Sequence, residues 1–219
     1  MTLPFVLMVS FYCEANPTRA HELLTCLERN LANPLIGEVH VLVEHRKPGR
    51  RYYLVQEYPV FAHSKIRLVD HGRRASYRDF FDRANKKLSG RRVVVANTDI
   101  FFDASLAQLD SVSLDGKFLC LSRWDVQADG NARLFAHTYS QDAWIFQTPL
   151  RTFKSDLFIG LPRSDNRIAW EAQRAGLVVS NPSHTIRAYH LHLSGVRNYT
   201  EKQQLRGDGL GLVPIVLEA

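Results

Sequence analysis

Four apolar runs, each stopping abruptly on polar residues and each followed by a segment of different periodicity, constrain this chain more than any other feature. Phe5–Tyr12 (FVLMVSFY) precedes Asn16-Pro17-Thr18 and a helical pattern with Leu23, Leu24, Leu27 and Leu31 in phase, closed by Pro34. Val39–Val43 ends on Glu44, and a basic loop with Pro48-Gly49 follows. Ile66–Val69 ends on Asp70, His71 and Gly72; Tyr77, Phe80, Phe81, Ala84 and Leu88 then mark one side of a helix closed by Gly90. The fourth run, Arg92–Ala96, delivers Asn97-Thr98-Asp99-Ile100-Phe101-Phe102-Asp103. Strands alternating with helices predict a mostly parallel sheet, and such sheets take ligands beyond the carboxyl ends of their strands. Tyr12, Glu44, Asp70 and Asn97/Asp99 are therefore expected to converge on one rim.

The second half is less regular. Phe118–Ser122, Ala143–Phe146, Leu177–Ser180 and Ile186–Leu193 read as strands, with a hairpin turn around Ala128-Asp129-Gly130-Asn131 and a turn at Asn181-Pro182-Ser183. Residues 165–175 read as a helix opened by an Asp or Asn cap and closed by Gly176. There is no internal repeat and no marked linker, so one domain with two functional halves is expected.

Composition excludes several classes. No apolar run approaches the roughly 18 residues of a membrane span, and the N-terminal stretch lacks the basic flank of a signal peptide. Cys13, Cys26 and Cys120 have no CxxC spacing and read as buried thiols of a reducing cytosol. The net charge of +6 is concentrated: residues 46–92 hold 14 Lys/Arg against four acids. Such a segment either attracts an anionic partner or is a solvated basic surface.

Three constellations could carry chemistry. Asp99 and Asp103 follow a buried strand, where a carboxylate can ligate Mg2+ or Mn2+; Asp103 equally suits the cap of a helix over 104–109, whereas Asp99 has no comparable structural reason. His190 and His192, two apart in a strand, share a face and can ligate a metal, although zinc would want a third ligand. Asp165, at a helix start, is either a cap or a general base; Asp142, just before a strand, is a competing carboxylate, beside Trp144 as either core or sugar platform. Glu171 reads as a surface residue or an alternative carboxylate. No GxGxxG, P-loop, HExxH or GxSxG pattern occurs.

Taken in order, these pieces resemble the GT-A glycosyltransferases, which use nucleotide sugars. The likeness rests on Phe5–Tyr12 and Val39–Glu44, on Arg83-Ala84-Asn85, Gly90 and Asn97-Thr98-Asp99 in the place of a DxD motif, and on Asp165-Asn166, Gly176, Asn181-Pro182 and Tyr189-His190. It covers about residues 4–195 and implies a single Rossmann-like α/β domain with a mixed, mostly parallel sheet flanked by helices. Residues 1–103 would be the nucleotide-binding half and 104–219 the acceptor half. It further implies Mn2+ or Mg2+ on Asp99 and His190, with His192 a close rival, and Asp165 as base of an inverting transfer, with Asp142 its competitor. A UDP- or GDP-sugar donor would meet Tyr12, Glu44, Asn85, Asn97, Thr98 and Trp144, with Arg73, Arg74, Arg78 and Arg197 toward its phosphates. The acceptor would be a glycan or glycoconjugate, with no nucleic acid expected and a cytoplasmic, at most peripherally membrane-bound, location. The pattern is departed from at Asn97, where the motif has an acid, and at Ser164-Asp165, which keeps one carboxylate of a pair. A nucleotidyltransferase, a non-catalytic binder of nucleic acid or anionic glycan built on residues 46–92, and a domain that has lost activity are the alternatives.

Overall fold

The computed structural model describes residues 3–44, 50–197, 200 and 203–217; the loop expected at Pro48-Gly49 lies outside the described residues. Its strands in chain order are β1 (Phe5–Phe11), β2 (Ile36–Val43), β3 (Ile66–Asp70), β4 (Arg92–Ala96), β5 (Ile100–Phe102), β6 (Lys117–Leu121), β7 (Arg123–Val126), β8 (Ala132–Leu134), β9 (Ala143–Gln147), β10 (Val178–Ser180) and β11 (Ala188–His190). The helices are α1 (Pro17–Ala32), α2 (Arg50–Glu57), α3 (Tyr77–Lys87) and α4 (Ser164–Arg174).

The central sheet has the order β10-β6-β9-β4-β1-β2-β3. Six strands share one direction, and β9 alone runs antiparallel to both its neighbours, β4 and β6. Both faces are covered, which is why β1 and β4 read as unbroken apolar runs instead of alternating. Phe5, Leu7, Val9 and Phe11 pack with Val39, Val41 and Val94 against Leu27 and Leu31 of α1. Val6, Met8, Val93, Val95 and Trp144 pack on the other face against Phe80 and Phe81 of α3 and Ile168 and Ala169 of α4. The fold is thus an α/β domain with a mixed, largely parallel sheet between helices.

Two features of topology build the rim. Because β9 is reversed, its first residues arrive where β1, β2 and β4 end, so Asp142 joins Asn97 there; the Asn97 N–H donates to the Asp142 carbonyl (3.0 Å). A second, smaller sheet, β5-β11-β7-β8, stands beside that rim. In it β11 lies between β5 and β7, pairing His190 with Ile100 on one side and Asp125 on the other.

Several expectations are corrected. β11 spans only Ala188–His190, shorter than the expected Ile186–Leu193, and the Leu191 N–H extends its pairing by one bond to the Asp99 carbonyl (3.0 Å). Asp70 ends the outermost strand and is exposed, outside the cleft described below. The hairpin turn at 128–131 is present, but its strands β7 and β8 escaped notice because neither shows a clean buried alternation. α2 stands where only loop was expected; its hydrophobic periodicity is weak among arginines and tyrosines.

α1 is capped by Asn16, whose side chain accepts from the Arg19 N–H (3.1 Å), with Pro17 in its first turn. Its buried stripe, Arg19, Glu22, Leu23, Cys26, Leu27, Asn30 and Leu31, includes three polar residues. Asn30 uses its amide on both sides: Nδ2 donates to the Ile100 carbonyl (2.8 Å) and Oδ1 accepts from the Phe102 N–H (3.1 Å), pinning β5 to the helix. Asn30→Ala strands two buried backbone groups and should cost about 2–4 kcal/mol, read as a lower urea midpoint at unchanged m-value.

Candidate active site

The rim opens on a cleft of about 810 Å³. The ends of β1, β2 and β4 supply Tyr12, Glu44, Asn97 and Asp99 to its lining, and the start of α4 and the segment before β9 supply Asp165 and Asp142.

A chain of alternating charges runs along this cleft. Glu22 accepts from Arg19 (3.0 Å); Arg19 donates in turn to Asp99 Oδ2, a short contact. His190 Nε2 lies 3.2 Å from the same oxygen, and its Nδ1 lies 2.8 Å from Asp125 Oδ1. Asp125 Oδ1 accepts from Arg123 Nε (2.8 Å), Arg123 Nη1 donates to Asp142 Oδ2 (3.2 Å), and Asn97 Nδ2 donates to Asp142 Oδ1 (2.8 Å). Arg19 and Asp99 are only 6% and 9% exposed, so each needs the other to remain charged. Burial alone would raise the Asp99 carboxyl, but the adjoining cations His190 and Arg19 hold it well below the usual carboxylate range. Burial likewise works against charge on His190, yet Asp99 and Asp125 raise it to about 9.

The residues around Asp99 suit a divalent ion. One ligand atom from each of Asp99, His190 and His192 falls within 4.8 Å of the others, close to the span of ligands about one ion at ~2.1 Å each. Asp99 Oδ1 is buried without a hydrogen-bond partner. Asp125, on Nδ1 of His190, directs Nε2 inward as an outer carboxylate orients a metal-bound imidazole. Burial and the neighbouring Arg19 and His190 lower the pKa of His192, keeping its ring neutral, and its Nε2 meets the Val196 carbonyl at 2.8 Å, leaving Nδ1 with its lone pair.

Asp165 is in the opposite electrostatic state. Its Oδ2 accepts from the Gln141 N–H (3.1 Å). Burial, and secondarily the charge on Asp142, raise it to about 7 against the opposing pull of nearby N–H groups. It does not cap α4: that place is taken by Arg163, in the left-handed region (φ 67°), with no side-chain cap bond. Asp103 does cap the short 3-10 helix Ala104–Leu109, accepting from the Ser105 N–H (2.9 Å), and also accepts from the Tyr189 hydroxyl (2.9 Å).

Other expected residues divide. Thr98 lies at the cleft with its hydroxyl donating to the Ser10 carbonyl (2.6 Å). Glu44, its carboxyl raised by burial, accepts from the Ala75 N–H (2.9 Å). Arg197 and Arg74 border the cleft, but Arg73 and Arg78 do not: they pair with Asp79 (2.6 Å) and Asp156 on the surface beside α3. Asn85 is also elsewhere, exchanging hydrogen bonds with the Leu150 backbone (2.7 Å each). Trp144 borders the cleft yet is fully buried, edge-on to Tyr77 at 4.7 Å, so it is core and offers no sugar platform. Glu171 pairs with Arg167 (2.9 Å) outside the cleft. Arg19, Arg123 and Asp125 were not foreseen.

No protein-family model matches the sequence, and no curated protein matches it. Solved structures do. A mannosyltransferase from Pyrobaculum calidifontis, PcManGT, in complex with GDP-Man and Mn2+, aligns with TM-score 0.55 and 13% identity over 91% of this chain and 59% of its own. S. aureus TarS 1-349 in complex with UDP-GlcNAc aligns with TM-score 0.54 and 15% identity over 86% of this chain and 58% of its own. GalNAc-T7 with UDP, GalNAc and Mn2+ aligns with TM-score 0.60 and 10% identity over 95% of this chain and 47% of its own. These likenesses establish a GT-A-like fold, and the chain spans about half the length of the structures it matches.

Ion binding at this cluster must displace the proton held on His190, so its affinity should rise with pH. Mn2+ is expected to raise the Tm more at pH 8.5 than at pH 6.5, with EDTA reversing the gain and Asp99→Asn abolishing it, as measured by differential scanning fluorimetry.

Proposed function

We propose that this protein is a metal-assisted, inverting glycosyltransferase that moves a sugar from a UDP- or GDP-sugar to a hydroxyl of a glycan or glycoconjugate. The observation that carries the reading is the presence, in the lining of one cleft of a GT-A-like fold, of both the Asp99–His190–His192 cluster and a carboxylate, Asp165, whose pKa lies near neutrality. Asp99, His190 and His192 would hold Mn2+ or Mg2+, which when bound neutralises charge on a diphosphate.

Tyr12 and Glu44, at the ends of β1 and β2, would receive the nucleoside, and Arg197 and Arg74 the phosphates. Asp165 takes the proton of the acceptor hydroxyl as that oxygen forms its bond to the anomeric carbon from the face opposite the departing diphosphate. The carbon–oxygen bond to the diphosphate breaks with its electron pair, and the proton remains on Asp165 until solvent removes it. A carboxyl with a pKa of about 7 is well matched to this task. Residues 1–103 would act mainly in donor binding and 104–219 in acceptor activation, with His190, His192 and Arg197 of the second half returned to the donor. The three free thiols support a cytoplasmic setting.

Stabilisation by UDP, GDP or their sugars in a thermal-shift screen, present with Mn2+ and lost with EDTA, is the expected result. No metal-dependent shift with any of them overturns the reading. Asp165→Asn should lower turnover by about 10²–10⁴-fold while leaving donor binding intact.

The same carboxyl sets the pH dependence. Only the deprotonated form is a base, so activity should climb through about pH 7, and Asp142→Asn, by removing a like charge, should shift that limb to lower pH. A carboxyl with a raised folded pKa loses stability as pH rises from its unfolded value of about 4 toward 7. Asp165→Asn is therefore expected to have a higher Tm than the native chain at pH 8, with the gap closing toward pH 4.

A further inference from the structure

Between β8 and β9 the chain carries Phe135, His137 and Tyr139 into the lining of the cleft, on the stretch that leads to Asp142. Phe135 and Tyr139 are 36% and 50% exposed, so part of each ring is open to a ligand. The three rings form a strip: Phe135 stacks on His137 (5.8 Å between centroids, 15° between planes), and Tyr139 stands 6.2 Å beyond. The Arg123 guanidinium lies 4.2 Å over the Phe135 ring, fixing that end to the charge chain. At the other end the C-terminal segment holds the strip: the Leu212 N–H donates to the Thr138 carbonyl (2.7 Å), and Gly211 sits so close that a Cβ there would stand 3.3 Å from Tyr139 Cζ. The same segment passes the start of α4, where the Leu210 N–H donates to the Asn166 carbonyl (3.0 Å). Immediately after the strip, Gln141 donates to Asp165.

We propose that Phe135, His137 and Tyr139 form the acceptor subsite and that the acceptor is a pyranose-containing oligosaccharide; the role of acceptor, though not the glycan class, rests on the glycosyl-transfer reading above. A pyranose ring has one face of C–H groups and a rim of hydroxyls. An exposed aromatic face covers the first, while the histidine, the tyrosine hydroxyl and neighbouring backbone groups serve the second. The strip is bound at both ends, so little ordering is left to oppose binding. Its direct continuation into Gln141, which bonds Asp165, assigns it to the acceptor and not to the nucleoside base. The hydrogen bond from Gln141 to Asp165 links the platform to the base that would deprotonate the bound sugar.

The test uses the full chain on a printed panel of neutral and uronic-acid-containing oligosaccharides, without nucleotide, in parallel with UDP and GDP thermal shifts. The native protein should be retained on a subset of the panel. Tyr139→Ala and Phe135→Ala should weaken retention about tenfold each, and Tyr139→Phe should keep most of it. The nucleotide-induced shifts should not change in any variant. Retention of no oligosaccharide by the native protein, or retention unaffected by both alanine variants, overturns the proposal. Loss of the nucleotide shift in Tyr139→Ala also overturns it, by making the strip a nucleobase platform. Glycan retention with no nucleotide shift in any form would sustain the platform as a glycan site while defeating the transferase reading, so the two failures are separable.

Discussion

The cleft depends on one physical constraint: charges taken out of water must meet opposite charges. Glu22, Arg19, Asp99, His190, Asp125, Arg123 and Asp142 satisfy it as a single alternating row. Its members come from α1, the turn after β4, β11, β7 and the start of β9. The row therefore ties the first helix, the central sheet and the small sheet together by interactions that fail in pairs, since removing one member leaves its neighbour buried and unpaired. Glu22 extends the tie further, accepting from the backbone N–H (2.7 Å) and hydroxyl (2.8 Å) of Ser194, which holds the segment after His192 against α1. The position and charge state of Asp99 and His190 are thus consequences of the whole row.

How much of this was legible in the sequence follows from the range over which each residue finds its partner. The strands of the first half announce themselves locally, because burial on both faces writes an apolar run and the rim cuts it off at Glu44 or Asn97. Asp99 stood out for the same local reason: nothing nearby in sequence needed it. Arg123 and Asp125 gave no such signal, since β7 is half-buried throughout and its partners on β11 lie about 65 residues away. Arg19 was legible in principle. It falls in phase with Glu22, Leu23, Cys26 and Leu27 on the buried stripe of α1, and an arginine in that phase must find a buried acid. Arg73 and Arg78 misled for the converse reason, because charge density does not say which arginines face the cleft, as Arg74 does, and which pair with acids on the surface.

Asn97, the departure from an acidic motif, acquires a physical reason from the reversal of β9. That reversal sets Asp142 against residue 97, and the amide donates to Asp142 Oδ1 at 2.8 Å. An aspartate at 97 would place two carboxylates face to face at that distance, and one of them would have to take up a proton. With the amide there, Asp142 accepts from both Asn97 and Arg123, and its charge adds to burial in raising the Asp165 carboxyl. An amide at 97 in place of an acid thus leaves the Asp142 carboxylate paired and acting on Asp165. His190 and His192, returned to the rim by β11 and the turn after it, supply in place of that acid the ligand atoms that cluster with Asp99.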